Sequence, residues 1–256
     1  MNHITNLDAD LIKLETEVFP TIAEGNTILL LGAGASISNK KYLSQQIINL
    51  YSAKKRIELD TQDVTEFVDV LSSDPKFDRE DFDSFVTDLL NKLEVSETHR
   101  QIAQLPWKEI ITTNYDLLIE RAFDLVKGTS KENLKVRPIR DQRGYDYTPA
   151  RDEVKYVKLH GCILDRNLYP LKFSTKDFEE TEKYYKRVMQ SLTNLSPKIQ
   201  FLSIGYSFNP SDGFAQKLLS QFNKYNPRRQ WITCIDPYVH DQRLAYYSER
   251  KLRIIS

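Results

Sequence analysis

The sequence is poor in cysteine: its 256 residues include two, Cys162 and Cys234. Two thiols cannot form a disulfide framework or a four-cysteine zinc site, and such sparing use is typical of the reducing cytoplasm. Long apolar runs are lacking as well. The longest, residues 28–35, is interrupted by glycines and is much shorter than the ~18 residues of a transmembrane helix. The acidic N-terminal stretch lacks the basic region and cleavage site of a signal peptide. We therefore expect a cytoplasmic protein that is not embedded in a membrane.

An excess of charge of either sign is also absent, because 36 Lys and Arg residues balance 36 Asp and Glu residues. Without a net field that attracts phosphates, direct binding of nucleic acid or of a membrane surface is not expected. Hydrophobic residues make up 40% of the chain, which is enough for a substantial buried core and excludes wholesale disorder.

Glycine is scarce too, with 8 residues in the chain, so each glycine is expected where a larger side chain does not fit. Five of the eight lie in segments that end predicted strands: Gly32, Gly34, Gly161, Gly205 and Gly213. Because the carboxyl ends of parallel strands face one crevice, this coincidence predicts a ligand site at that edge of a sheet.

The spacing of apolar residues predicts strands that alternate with helices. Helices are expected at 11–23, 41–53, 115–126, 175–194, 211–223 and 241–251, and strands at 26–31, 107–112, 134–139, 154–159, 169–173, 199–204 and 230–235. Two or three further helices fall within 60–105. Such alternation is typical of an α/β fold with a doubly wound, Rossmann-like parallel sheet. We expect one domain over 1–256 with a helical insertion at 41–106, and we expect the helical segment at 60–105 to pack over the mouth of the crevice or to form an oligomer contact.

The first candidate segment, residues 32–36, reads Gly-Ala-Gly-Ala-Ser and follows a buried strand. Backbone N–H groups in such a turn can approach a pyrophosphate. The third glycine of the dehydrogenase fingerprint is replaced by Ile37, which argues against hydride transfer. A tight turn that binds no ligand stays open as the alternative.

The second candidate segment, residues 112–116, reads Thr-Thr-Asn-Tyr-Asp and places Asn114 at the same edge of the sheet. Thr113 and Asp116 also have the spacing of a capping box, and Asn114 itself suits a helix cap. A purely structural role for this segment therefore stays open beside a functional one.

The third candidate is His160, which lies at a strand end where loops carry function. The other three histidines lack this setting, since His3 is near the terminus and His99 and His240 lie on polar helical segments. Cys162 is expected to be a packed thiol, because no cationic neighbour is evident that would lower its pKa.

At these segments the sequence resembles the sirtuin-like superfamily, and in particular its bacterial branch of NAD-consuming antiphage proteins. The resemblance covers about residues 24–240 and rests on five motifs in order: GAGAS, TTNYD, KLHG, FSTKDF and IGYSFNPSD. It implies a sirtuin-like catalytic domain with NAD as the substrate and with no metal.

The resemblance also implies roles for particular residues. Asn114 and His160 match the catalytic asparagine and histidine, and Asp116 supports the asparagine. The remaining matches concern the binding of NAD: the pyrophosphate turn with Gly32, Ala33, Gly34 and Ser36, a second phosphate-binding turn with Gly205 and Ser207, and the adenosine ribose contact at Asp236.

Two departures from the deacetylating sirtuins weaken an acyl-lysine reaction: the four-cysteine zinc module is missing, and so is the Ile-Pro-Asp-Phe-Arg segment. The resemblance therefore implies hydrolysis of NAD to nicotinamide and ADP-ribose, with cyclisation as a variant, to deplete NAD in antiphage defence by abortive infection. A protein deacylase and a nucleotide sensor without turnover stay open. A homo-oligomer, or a sensor or activator protein or domain, is the expected partner, with this chain as the effector part of a longer protein as one arrangement.

Overall fold

The structure, a computed structural model, describes residues 11–36, 43–128, 134–196, 198–208, 212–225, 232–235, 247–249 and 252–255. Within these ranges, no helix combines the length and the apolar character needed to cross a bilayer.

A sheet of seven parallel strands forms the centre of the fold, which confirms the predicted α/β, doubly wound architecture. Its strands are β1 (Thr27–Leu31), β2 (Glu109–Thr112), β3 (Lys135–Ile139), β4 (Glu153–Lys158), β5 (Gln200–Ile204), β6 (Ile232–Ile235) and β7 (Leu252–Ile255). Their spatial order is β3-β4-β2-β1-β5-β6-β7, and each neighbouring pair runs parallel. The chain thus leaves β1 towards one side of the sheet and returns at β5 towards the other, which creates a switch point between β1 and β5.

Helices cover both faces of this sheet. They are α1 (Phe19–Ala23), which continues a π-helical turn at Leu14–Val18, then α2 (Leu43–Lys55), α3 (Val64–Leu71), α4 (Arg79–Asn91), α5 (Glu97–Ala103), α6 (Leu118–Val126), α7 (Gln142–Tyr145), α8 (Thr175–Glu180), α9 (Glu182–Thr193) and α10 (Gly213–Tyr225). Alternate residues of β1 enter two different cores: Ile28 and Leu30 pack on one face, and Leu29 and Leu31 on the other. This two-residue period explains why the whole strand is apolar.

Between β1 and β2, the described part of the chain forms a 3-10 turn at Ala33–Ser36 and the helices α2 to α5. Helices α2, α3 and α4 form a third apolar cluster, in which the rings of Tyr51 and Phe82 meet edge to face at 5.0 Å. The cluster also takes in Leu171 and Phe173 from the segment that follows β4. The inserted helices are therefore packed against the connection that leads away from the sheet edge.

The predicted strand at 169–173 is wrong, because this segment forms no ladder. Pro170 has no N–H to donate, and Leu171 and Phe173 are buried against the inserted helices instead of a strand partner. The predicted helix at 175–194 is divided at Thr181 into α8 and α9. Strand β7 was not expected; the helix predicted before it, at 241–251, is described only at 247–249, which is helical.

The turns after β1 and β5 touch through their backbones. Gly32 N donates to Ile204 O at 3.0 Å, and Gly34 N donates to Gly205 O at 2.9 Å. Gly205 has a φ of +63°, and a Cβ added there would lie 2.2 Å from Ala35 N. Only glycine fits this contact, since a side chain would both strain the backbone and overlap with the facing turn.

Gly205→Ala is expected to lower the free energy of unfolding by about 3 kcal/mol or more, because overlap with the facing backbone adds to the strain of a positive φ. Gly128→Ala is the matched control, since Gly128 has a φ of +81° but no atom within 4 Å of an added Cβ. The control should lose about 1 kcal/mol, from strain alone. Urea denaturation measures both values, and equal losses would contradict the close contact.

Candidate active site

A cavity of about 980 Å³ opens at the carboxyl ends of β1, β2 and β4. Its volume is at the upper end of the ~300–1,000 Å³ range of ligand pockets, which is suitable for a dinucleotide or a large part of one. Four of the residues predicted from the sequence line it: Ala33, Asn114, Asp116 and His160. The other walls come from α2, α3, α4, α8, α9 and α10, so the inserted helices form one side of the cavity.

Asn114 is held by hydrogen bonds at the end of β2. Its backbone N–H donates to Thr112 Oγ1 at 3.0 Å, and its side-chain Nδ2 donates to Gly32 O at 3.2 Å. Nδ2 is also 3.5 Å from Ser36 Oγ. Because α6 begins at Leu118, the Asn114 side chain does not cap that helix but contacts the turn after β1.

Asp116 has both a structural and a site contact. Its Oδ1 accepts the backbone N–H of Leu118, the first residue of α6, at 3.0 Å, and its Oδ2 accepts Ser36 Oγ–H at 3.3 Å. The predicted capping box is therefore wrong, because α6 begins at Leu118 with Leu117 as its N-cap, so Thr113 and Asp116 are not its N-cap and N3 residues. The Asp116 carboxylate is buried and lines the cavity.

His99 joins this group, although the sequence analysis had set it apart on a polar helical segment. It is 1% exposed, and its Nε2 lies 3.5 Å from Ser36 Oγ. Nδ1 accepts the backbone N–H of Ser96, so the ring proton of the neutral form is on Nε2 and points to Ser36. Burial lowers the pKa of His99, with Asp116 acting in the opposite direction. The Ser96-x-x-His99 spacing, that of a capping box, was the available sequence signal for the contact between Ser96 and His99, but no local signal pointed to Ser36.

His160 stands on the cavity wall among aromatic rings. Ring centroids of Phe178, Tyr185 and Tyr115 are 5.0, 6.1 and 6.2 Å from that of the imidazole. These surroundings lower the pKa of His160 to about 4 by desolvation, and the Asp212 carboxylate acts in the opposite direction. His160 is therefore neutral at pH 7 and able to accept a proton.

Asp212 is a site residue that the sequence analysis did not select. It lies one residue before α10, where its Oδ1 accepts Ala215 N–H at 3.0 Å and its Oδ2 accepts the Tyr206 hydroxyl. These bonds fix the carboxylate on the cavity wall near His160. Its place in the IGYSFNPSD motif was the available signal.

The described cavity lining is rich in negative charge. Seven carboxylates face one ammonium group, that of Lys217, which is itself 3.6 Å from Glu182. The carboxylates are Asp63, Glu66, Asp69, Asp116, Glu179, Glu182 and Asp212. An acidic lining favours a ligand, or a part of a ligand, that is cationic.

Other predicted binding residues lie behind or beside this cavity. Gly32, Gly34 and Gly205 form the backbone contact between the turns, where the N–H groups of Gly32 and Gly34 are used by carbonyls of the protein itself. Ser36 contacts Asn114 and Asp116, as described above. Ser207 is exposed and its carbonyl accepts the Tyr247 hydroxyl at 3.3 Å, and Asp236 lies outside the described residues.

Cys162 is fully buried, which agrees with a packed thiol. The expectation that it has no cationic neighbour is wrong, because the Arg140 guanidinium interacts with the thiol. Across the described residues, no group of three or more His, Cys, Asp or Glu side chains is placed to hold a metal ion.

Comparison with known proteins identifies a family and two relatives to which this chain is similar. The family model for the SIR2-like domain matches residues 108–255. The chain is 29% identical over 208 residues to the NAD(+) hydrolase ThsA of Enterococcus faecium, a match that covers 78% of this chain and 40% of that protein. It is 28% identical over 199 residues to the NAD(+) hydrolase ThsA of Cytobacillus dafuensis, covering 77% of this chain and 38% of that protein. The chain thus spans about 40% of the length of these curated relatives.

The family match covers more than half of the chain and contains strands β2 to β7, together with Asn114, Asp116 and His160. The sirtuin-like resemblance of the sequence is confirmed by this match: the chain belongs to the SIR2-like domain family.

Proposed function

We propose that this chain is an NAD⁺ hydrolase that cleaves the bond between nicotinamide and ribose to give nicotinamide and ADP-ribose. The observation that carries the proposal is that Asn114 and His160, from two neighbouring strand ends, line one cavity. Two relatives named NAD(+) hydrolases, similar over more than three quarters of this chain, support it.

The reaction suits an amide and a neutral imidazole. The pyridinium of NAD⁺ leaves with the electron pair of the broken C1′–N bond as neutral nicotinamide, so its departure requires no general acid. The ribose becomes oxocarbenium-like, and a water oxygen then forms a bond to C1′. His160 accepts the proton of that water, and Asn114, which offers a donor and an acceptor, orients the ribose and the water.

The charged side chains that line the cavity also support cleavage of the bond between nicotinamide and ribose. Acidic side chains attract the cationic pyridinium of NAD⁺, and they stabilise the positive charge that moves to the ribose as nicotinamide leaves as a neutral molecule. If an adenine nitrogen replaces the water, the product is cyclic ADP-ribose. The Ser36–Asp116 hydrogen bond holds the turn that presents Asn114.

The biological setting of the proposal follows from the sequence resemblance. We propose that the reaction takes place in the cytoplasm and depletes NAD⁺ in antiphage defence by abortive infection. We further propose that a sensor domain, a partner protein or assembly of several copies activates the cavity. A sensor that binds NAD⁺ without turnover is separated from a hydrolase by the assay below.

Incubation of the purified protein with NAD⁺ should release nicotinamide and ADP-ribose, measured by chromatography. His160→Ala and Asn114→Ala are each expected to lower turnover by about 10²–10⁴-fold, because one loses the proton acceptor and the other the orienting amide. Asn49→Ala, at an exposed asparagine of α2, is the matched control and should keep full turnover. A sharp fall in melting temperature with unchanged turnover per folded molecule would make Asn114 structural instead.

The pH dependence of kcat/KM tests the role of His160 as a base. A base acts in its neutral form, and a pKa of about 4 keeps His160 neutral over the pH range 5.5–8. The profile should be flat in this range and should fall only below about pH 5, with circular dichroism confirming the fold at each pH. A fall centred near pH 6.5, the ordinary pKa of histidine, would contradict the desolvation of the imidazole.

An acetyl-lysine peptide should neither be deacetylated nor be required for the release of nicotinamide. The chain lacks the zinc module and the Ile-Pro-Asp-Phe-Arg segment of deacetylating sirtuins. Mass spectrometry of reactions with and without the peptide measures both effects. Detection of O-acetyl-ADP-ribose would overturn the hydrolase proposal in favour of a deacylase.

A further inference from the structure

Lys158 is the last residue of β4 and precedes His160 by two positions, yet its side chain is fully buried. Lysine is almost never buried to this degree unless it is paired. Its Nζ donates to the main-chain oxygen of Asp116 and, at 3.2 Å, to the Glu120 carboxylate. The ammonium group therefore lies beneath the cavity, where it is hydrogen-bonded to the segment that carries Asn114.

Main-chain hydrogen bonds join the same two segments on either side of this ammonium. Leu159 N donates to Thr112 O at 2.9 Å, and Ile163 N donates to Tyr115 O at 3.1 Å. The main-chain oxygen of Asp116 is the next acceptor along the turn, and the Lys158 ammonium occupies it. Beyond the β2–β4 ladder, two main-chain hydrogen bonds and one bond from a buried ammonium thus join the Asn114 and His160 segments.

The charge of Lys158 belongs to a short series of alternating charges under the site. Glu120 lies 3.2 Å from Lys158 Nζ and 4.0 Å from the guanidinium of Arg140, and Arg140 lies 3.2 Å from Asp165. Asp165 is in the segment that follows His160. A buried ion pair loses much of its Coulombic gain to desolvation, so a well-packed apolar pair would serve stability at least as well. Unlike an apolar side chain, the Lys158 ammonium donates a directed hydrogen bond to one carbonyl oxygen, that of Asp116.

We propose that Lys158 is a positioning residue for the hydrolysis of NAD⁺: it holds the turn at 114–116 against the end of β4, so that Asn114 and His160 meet the same ribose. This inference rests on the proposed function. Lys158 does not line the cavity and acts through Asp116 and Glu120. Since a displacement of about 1 Å can cost about 100-fold in rate, loss of this bond should reduce kcat and leave KM nearly unchanged.

The test compares two double variants. Lys158→Met with Glu120→Gln removes the pair beneath the site and leaves neither charge buried alone. Lys155→Met with Glu109→Gln is the matched control. Lys155 is also buried on β4, donates to the main-chain oxygen of Tyr145 at 2.5 Å and interacts with Glu109 of β2. Along the chain, however, it is three residues farther from His160 than Lys158 is.

For the Lys158 pair we expect kcat for nicotinamide release to fall by about 100-fold and KM to change less than about threefold. The control should keep kcat within about threefold of the wild type, at a similar melting temperature. In addition, amide hydrogen exchange at residues 113–118 should become at least about tenfold faster in the Lys158 pair and stay unchanged in the control.

Retention of kcat and of slow exchange in the Lys158 pair would overturn the inference, and so would a loss of kcat that follows the melting temperature equally in both variants. If the wild type releases no nicotinamide, the proposed function fails, and the exchange measurement still decides whether Lys158 holds the turn. Equal exchange in the two variants would then overturn the inference on its own.

Discussion

The backbone contact between the turns after β1 and β5 is the constraint on which the site depends. Gly32 and Gly34 lie so close to Gly205 that none of the three can carry a Cβ without overlap. The contact lies at the switch point of a parallel sheet, where the chain diverges to the two sides. It fixes the turn at 32–36. The Gly32 carbonyl and the Ser36 hydroxyl of this turn accept hydrogen bonds from the Asn114 side chain and so hold it in place.

Several residues of the site therefore have a structural and a functional contact at the same time. Asp116 accepts the first N–H of α6 with one oxygen and the Ser36 hydroxyl with the other. Asp212 caps the start of α10 and stands near His160. These side chains have a rigid position at the cavity, because each of them also makes a hydrogen bond to the first turn of a helix. For the same reason, the activity of a variant at these positions must be interpreted together with a measurement of its stability.

The fold and the position of the site could be predicted from the sequence because both depend on local patterns. Buried parallel strands appear as apolar runs, and scarce glycines at their ends mark the edge where the turns meet. Asn114, Asp116 and His160 were selected at such strand ends, and the structure places all three on one cavity; their roles stay a prediction. The segment at 169–173 was misread because burial of Leu171 and Phe173 against the inserted helices produces the same alternation as a strand.

Contacts between distant segments could not be predicted in the same way. His99 lies 63 positions from Ser36 in the chain, and its polar neighbours concealed a buried ring. The aromatic wall around His160 combines Tyr115, Phe178 and Tyr185 from three segments, and nothing in their local spacing brings them together. The sequence predicted that the insertion packs over the crevice or forms an oligomer contact, but which of its residues line the cavity depends on how the insertion folds back over the sheet edge.

A crystal structure with carba-NAD⁺, whose ribose lacks the ring oxygen and resists cleavage, tests the central claim most directly. The account predicts that the pyridinium lies among Tyr115, Phe178 and Tyr185, with the adjoining ribose about 3 Å from the side chains of both Asn114 and His160. A pyridinium bound outside this cavity, or a ribose in contact with neither side chain, would contradict it.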